Sequence, residues 1–169
     1  YHGVTSVVMG NCGFTLAPCK QEDADLVFRN LERAEDLSRD AMLEGIDWTW
    51  ETFPQFLDAV DALPKGINYA GYIGHSALRT YVMGERAFAE AASADDTRRM
   101  QAVVKEAMQA GAIGFSTSRT FNHITADDRP VASRLAEWDE VRAIVNAVGE
   151  TGKGIFEIDG EAPGRDPER

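Results

Sequence analysis

Four short apolar runs, each followed by a polar cluster, alternate with helical stretches along the chain, and this alternation restricts the fold more than any other feature. Val4, Val7, Val8 and Met9 form a β-branched run ending at Gly10, which predicts a buried strand followed by a Gly10-Asn11-Cys12-Gly13 loop. Asp25 to Met42 is expected as one helix with only a fair apolar stripe. Thr52-Phe53-Pro54-Gln55 matches a capping box, Phe53, Phe56, Leu57, Val60 and Leu63 supply the buried face behind it, and Pro64 stops the helix. Ile67 to Ile73 predicts a second strand ending at Gly74-His75-Ser76. Asp95 or Asp96 is the expected cap of a helix carrying Met100, Val103, Val104, Ala107 and Met108 and closed by Gly111. Ala112 to Ser116 is a third strand, Glu137 to Val148 a further helix, and Gly154 to Ile158 a fourth strand. Strands alternating with helices in this way predict parallel βα units in the α/β class.

Four such units suit either a doubly wound sheet or half of an eight-stranded barrel. The chain begins Tyr1-His2-Gly3-Val4 without Met and closes on Pro167-Glu168-Arg169 in mid-pattern, so the expectation is a fragment, residues 1–169, of one longer barrel domain. Such a piece leaves two sheet edges unpaired. The net charge of -11, from 28 Asp and Glu against 17 Lys and Arg, opposes binding to nucleic acid or to an anionic membrane surface. No run reaches the roughly 18 to 20 apolar residues of a membrane span, and no signal layout opens the chain. A cytoplasmic protein is expected.

In both parallel architectures the chemistry gathers at the C-terminal ends of the strands. Four stations follow: Asn11-Cys12-Gly13, His75-Ser76, Ser116 to Asn122, and Glu157 with Asp159. At the first, the Cys12 thiolate suits a nucleophile or a metal ligand, and a small buried apolar cysteine is the equal alternative. Cys19 is expected to be only a loop residue. His75 suits a ligand or an acid/base, against a hydrogen-bonded structural histidine. Arg79 suits a carboxylate clamp, against a structural ion pair. The segment from Ser116 through Arg119, Asn122 and His123 opens the long polar loop Thr120 to Arg134, and it suits either a substrate carboxylate or amide or its own backbone. No GxSxG, GxxxxGK[ST] or GxGxxG occurs, so serine-hydrolase, P-loop and dinucleotide functions have no support. No HxH or HExxH occurs either, so these residues alone are not expected to complete a metal site.

His2-Gly3-Val4-Thr5-Ser6-Val7-Val8-Met9-Gly10-Asn11-Cys12-Gly13-Phe14, with Leu16-Ala17-Pro18, resembles the "HGVTTVVxGNCGxxxAP" segment of D-aminoacylases, the N-acyl-D-amino-acid deacylases of the amidohydrolase superfamily. Gly74-His75-Ser76-Ala77-Leu78-Arg79 resembles their "GHxxLR", Gly111 to Thr117 their "GAxGxST", and Asp47-Trp48 with Phe53 to Leu57 their "DWxxFxxYL". The resemblance implies a partial (β/α)8 TIM barrel, with one or two zinc ions at the strand ends of the whole protein. It also implies metal-activated water attacking a non-peptide amide of a small-molecule substrate. Carried over by motif, Cys12 becomes a zinc ligand, while the family's HxH pair belongs before residue 1 and its later His and catalytic Asp after residue 169.

Two departures stand out. Where the family has a metal-binding His in a "THxR"-like strand, this chain has Gly154 to Asp159, so Glu157 is expected as a replacement ligand unless a single metal is kept. Ser118 to His123 also differs from the family's "TGLxYxP". The expected substrate contacts are His75, Arg79, Ser116, Arg119 and Asn122. The competing expectation, motivated by the missing His, is a non-hydrolytic barrel relative serving as a binding or scaffold module.

Overall fold

The computed structural model describes residues 2–160; Tyr1 and the closing Pro167 to Arg169 lie outside the described residues. Strands β1 (Ser6–Met9), β2 (Asn68–Gly74), β3 (Gly114–Ser118) and β4 (Ile155–Asp159) form one sheet in the order β1-β2-β3-β4. Every pair is parallel, with Val7 opposite Tyr69, Ile73 opposite Phe115 and Phe115 opposite Phe156. Successive strands are always neighbours, so the winding never reverses as it does in a doubly wound sheet. The chain is a partial (β/α)8 barrel.

Helices α1 (Ala24–Leu31), α2 (Arg39–Gly45) and α3 (Phe53–Ala62) join β1 to β2. Helices α4 (His75–Met83) and α5 (Ala94–Ala110) join β2 to β3, and α6 (Trp138–Gly149) leads to β4. The capping box expected at Thr52 forms, with Gln55 N–H donating to Thr52 Oγ1 at 3.4 Å and Thr52 N–H to Gln55 Oε1 at 3.0 Å. At α5 the cap is Ser93 and not Asp95 or Asp96. Its hydroxyl accepts the Asp96 N–H at 3.1 Å, which makes Asp96 the reciprocal partner in a second capping box.

The helix expected from Asp25 to Met42 is two helices. Glu32, Arg33, Glu35 and Asp36 leave no apolar stripe between them, Asp36 takes φ 54°, and Ser38 restarts the chain as a new cap. Helix α4 went unseen because it starts directly on the strand end and is buried on nearly all sides, so no amphipathic period marks it. Met100, Val104, Ala107 and Met108 of α5 meet Ile73, Leu78, Phe115 and Ile144 in the core, each such large side chain contributing about 1.5–3 kcal/mol. A second cluster lies under the loops: Phe14, Val27, Phe28, Leu31, Met42, Val131 and Cys19, which at 2% exposure is core and not a mere loop residue. The expected burial of β1 is corrected too. Val7 and Val8 are 40% and 46% exposed, because β1 has one strand neighbour among the described residues.

Candidate metal centre

The loop after β1 is bent tightly by left-handed residues: Gly10 at φ 86°, Cys12 at φ 57° and Gly13 at φ 82°. At Gly10 a Cβ would stand 2.9 Å from the Tyr72 carbonyl, so the loop lies against β2 only because that atom is missing. Cys12 has no such freedom, and an L side chain in this region is strained by roughly 1–3 kcal/mol. The neighbouring strands hold it there. Glu157 Oε2 accepts the Cys12 backbone N–H at 2.8 Å, Ser116 Oγ accepts the Gly13 N–H at 3.1 Å, and the Ser116 hydroxyl donates to the Gly10 carbonyl.

This clamp brings together three donor atoms from separate segments. Cys12 Sγ, a ring nitrogen of His123 and a carboxylate oxygen of Asp159 all lie within 4.8 Å of one another. Asp159 ends β4, and its carbonyl accepts the Arg119 N–H at 2.7 Å, tying that strand end to β3. His123 comes from the long loop; its Nδ1 lies 2.6 Å from Ser118 Oγ and its ring meets the edge of Phe14 at 4.9 Å between centroids.

The local field favours a cation. Burial, reinforced by the charges of Glu157, Asp159 and Glu35, pushes the Cys12 thiol up to about 11. Burial also lowers His123, which keeps the imidazole neutral, the form that ligates metals. Glu157 is raised by burial and by the nearby Asp159. A divalent ion among these groups reverses the penalty on the thiolate. Sulfur, imidazole and carboxylate donors suit zinc, whose tetrahedral ligands stand about 3.3–3.8 Å apart, so no pair of these atoms needs to close by more than about 1.5 Å. The converging group is Cys12, His123 and Asp159; Glu157 stands beside it, with Oε2 on the Cys12 amide.

His75 and Arg79 lie elsewhere. Successive β3 side chains face opposite sides of the sheet, and Thr117 points toward the helices while Ser116 and Ser118 point toward the loops. His75 Nδ1 is 2.8 Å from Thr117 Oγ1, its Nε2 is 2.8 Å from Glu140 Oε1, and Arg79 completes the triad by pairing with Glu140. Both residues are 0% exposed. Their burial and partners fit the structural alternative that the sequence left open for each, a hydrogen-bonded histidine and an ion-paired arginine. Burial lowers His75 and keeps it neutral. Burial would also raise Glu140, but His75 and Arg79 outweigh it and hold the carboxyl below its usual range. Ser116 is likewise fully buried and engaged in the clamp. Arg119 donates to the Ala136 carbonyl at 2.7 Å and lies over the Trp138 ring, fastening the long loop, and Asn122 is exposed.

Residues 1–166 match the profile of the Amidohydrolase family. The chain belongs to the amidohydrolase family. A curated relative, the D-aminoacylase of Alcaligenes xylosoxydans xylosoxydans, is 40% identical to this amidohydrolase over 115 residues, covering 68% of the chain and 21% of the relative. A solved D-aminoacylase, studied for its binuclear metal centre, superposes with a TM-score of 0.62 at 32% identity over 91% of this chain and 28% of its own. The N-acyl-D-glutamate deacylase of Bordetella bronchiseptica, solved with zinc and a phosphonate inhibitor, gives 0.64 at 27% identity over 92% and 28%. This amidohydrolase chain thus spans between a fifth and a third of the lengths it matches.

Sequence reasoning about the amidohydrolase chain missed His123 and Asp159 as donors and Glu140 as a partner. Signals for two of them were present. Asp159 sits two residues beyond Glu157, on the same strand face and nearer the strand's C-terminal end. Glu140 interrupts the apolar stripe of α6 formed with Val141, Ile144 and Val148.

Proposed function

We propose that the protein carrying this chain is a metal-dependent hydrolase that cleaves the carbon–nitrogen amide bond of a small N-acyl amino acid, with zinc at the strand ends of a single barrel domain that includes residues 1–169. The observation that carries the reading is the placement of Cys12. It lies at the C-terminal end of a parallel strand, fixed by β3 and β4, with the Asp159 carboxylate beside it. A bound divalent ion supplies acidified water and a polarised carbonyl. The chain's own residues orient: Glu157 and Ser116 hold the strained loop so that Cys12 Sγ faces the donors, and Asp159 takes the ligand role expected of Glu157. Asn122, exposed and adjacent in sequence to His123, is the substrate contact we retain from the expected set. Both cysteines are free, which is compatible with the reducing cytoplasmic setting we propose. Among the described residues no helix is long and apolar enough to cross a membrane.

The test is metal analysis of the purified protein with and without Cys12→Ser, paired with hydrolysis of N-acetyl D- and L-amino acids. Bound zinc that falls sharply in the variant, together with amide cleavage, is the expected result. A folded, metal-free protein overturns it in favour of the binding or scaffold module.

A further inference from the structure

We infer that His123 is a metal ligand, delivered by the loop between β3 and α6, so that this chain alone provides a sulfur, a nitrogen and an oxygen donor to one ion. The inference rests on the metal-dependent reading above and says how this chain meets the requirement without the strand histidine of the proteins it resembles. The imidazole missing from β4 is supplied from across the gap, while β4 contributes Asp159.

Geometry carries the assignment. Nδ1 of His123 is engaged by Ser118 Oγ at 2.6 Å, which leaves Nε2 as the nitrogen facing inward. Nε2 stands 3.8 Å from Asp159 Oδ2. That separation is too long for a direct hydrogen bond and within about half an ångström of the roughly 3.4 Å between a nitrogen and an oxygen ligand on one tetrahedral zinc ion. Cys12 Sγ completes the same group. The ring is also held in place. Phe14 packs against its edge at 4.9 Å, and Ser118 is itself fixed by the Thr120 N–H at 3.3 Å. A metal-ligating histidine is held through its second ring nitrogen by an outer hydrogen-bond acceptor, commonly a carboxylate, carbonyl or water, and here the Ser118 hydroxyl oxygen takes that place. The loop is tied down on its far side, where Arg134 donates to the His123 carbonyl at 3.3 Å and the Val131 N–H donates to the same oxygen at 3.3 Å. A long polar loop with this many attachments is built to present something, and His123 is its residue aimed at Cys12 and Asp159.

The experiment uses the full-length protein, stripped of metal and titrated with zinc against a chromophoric chelator, and separately loaded with cobalt for its visible spectrum. His123→Ala is expected to weaken zinc binding beyond the roughly 10–100-fold that outer-shell changes cost, and to shift the cobalt ligand-field bands while keeping the thiolate charge-transfer band. Ser118→Ala, a milder change that leaves the ligand in place, is expected to weaken binding by about 10-fold. Imidazole added to His123→Gly is expected to restore the original cobalt bands. Unchanged affinity and cobalt bands in His123→Ala, with the charge-transfer band still lost in Cys12→Ser, overturn His123 as a ligand and leave the metal-dependent reading intact. Unchanged metal binding in both variants, or no binding in the parent protein, overturns the two together.

Discussion

Removing the Glu140 carboxylate exposes how much of the barrel wall depends on one buried charge. Arg79 and Glu140 have side chains 0% and 3% exposed, so neither charge has water to fall back on. In Glu140→Ala the guanidinium keeps only the Glu90 carbonyl, at 2.7 Å, and its Nε already lacks a partner among the described residues. His75 Nε2 loses its acceptor in the same step. An uncompensated buried charge of this kind costs about 3–5 kcal/mol, a large share of the roughly 5–15 kcal/mol that holds a domain folded. With a urea dependence of about 2 kcal/mol per molar, the unfolding midpoint should fall by roughly 1.5–2.5 M. The companion variant Arg79→Met/Glu140→Leu removes both charges and should recover most of the loss, because the cost lies in the orphaned ion and not in the missing attraction. Urea unfolding of the two variants beside the parent decides it. A loss below about 1 kcal/mol in Glu140→Ala, or a double variant as unstable as the sum of its singles, refutes the reasoning.

The same triad predicts an acid sensitivity with two stages. His75 is held below its usual 6.5, so as pH falls past 6.5 the unfolded chain takes up a proton that the folded chain refuses, and stability declines. Glu140 is held below its usual 4.5, so its contribution is whole above 4.5 and is lost as pH falls through the folded value. His75→Gln should remove the upper stage, and a gain in stability on acidification from about pH 7 to 6 counts against a neutral His75. At Gly74 an added Cβ would stand 2.6 Å from the Gly13 carbonyl. Gly74→Ala should therefore displace the Cys12 loop, destabilise the protein by about 1–3 kcal/mol and weaken zinc binding in the chelator titration.

The architecture was legible because its signals are local. A β-branched run before Gly10, the Thr52 capping box and the apolar stripe of α5 each announce themselves within a few residues. Helix α4 was hidden by burial on all sides, and the break at Asp36 by a charge-rich stretch that fits helix or turn equally. The site was legible only at Cys12. Its other donors are distant in sequence, and nothing in the run from Thr120 to Arg134 says that His123 folds back while Asn122 faces out. The two-residue spacing puts Glu157 and Asp159 on one strand face, but which of them meets the Cys12 sulfur turns on where the loop after β1 crosses that face, and the spacing does not encode this. Arg79 and Glu140 are 61 residues apart, so their pairing leaves no local trace.

Strand β3 divides two kinds of labour at single-residue intervals. Phe115 and Thr117 belong to the packed interior with its charged triad, whereas Ser116 and Ser118 serve the loop cysteine and the loop histidine. Replacements at 116 and 118 therefore retune the chemistry without repacking the helices, and replacements at 115 and 117 do the reverse. An insertion or deletion within the strand has no such latitude, since a shift of one position exchanges the two duties. Divergence in this part of the molecule is steered toward substitution in the strand, and changes of length are left to the loop that follows it.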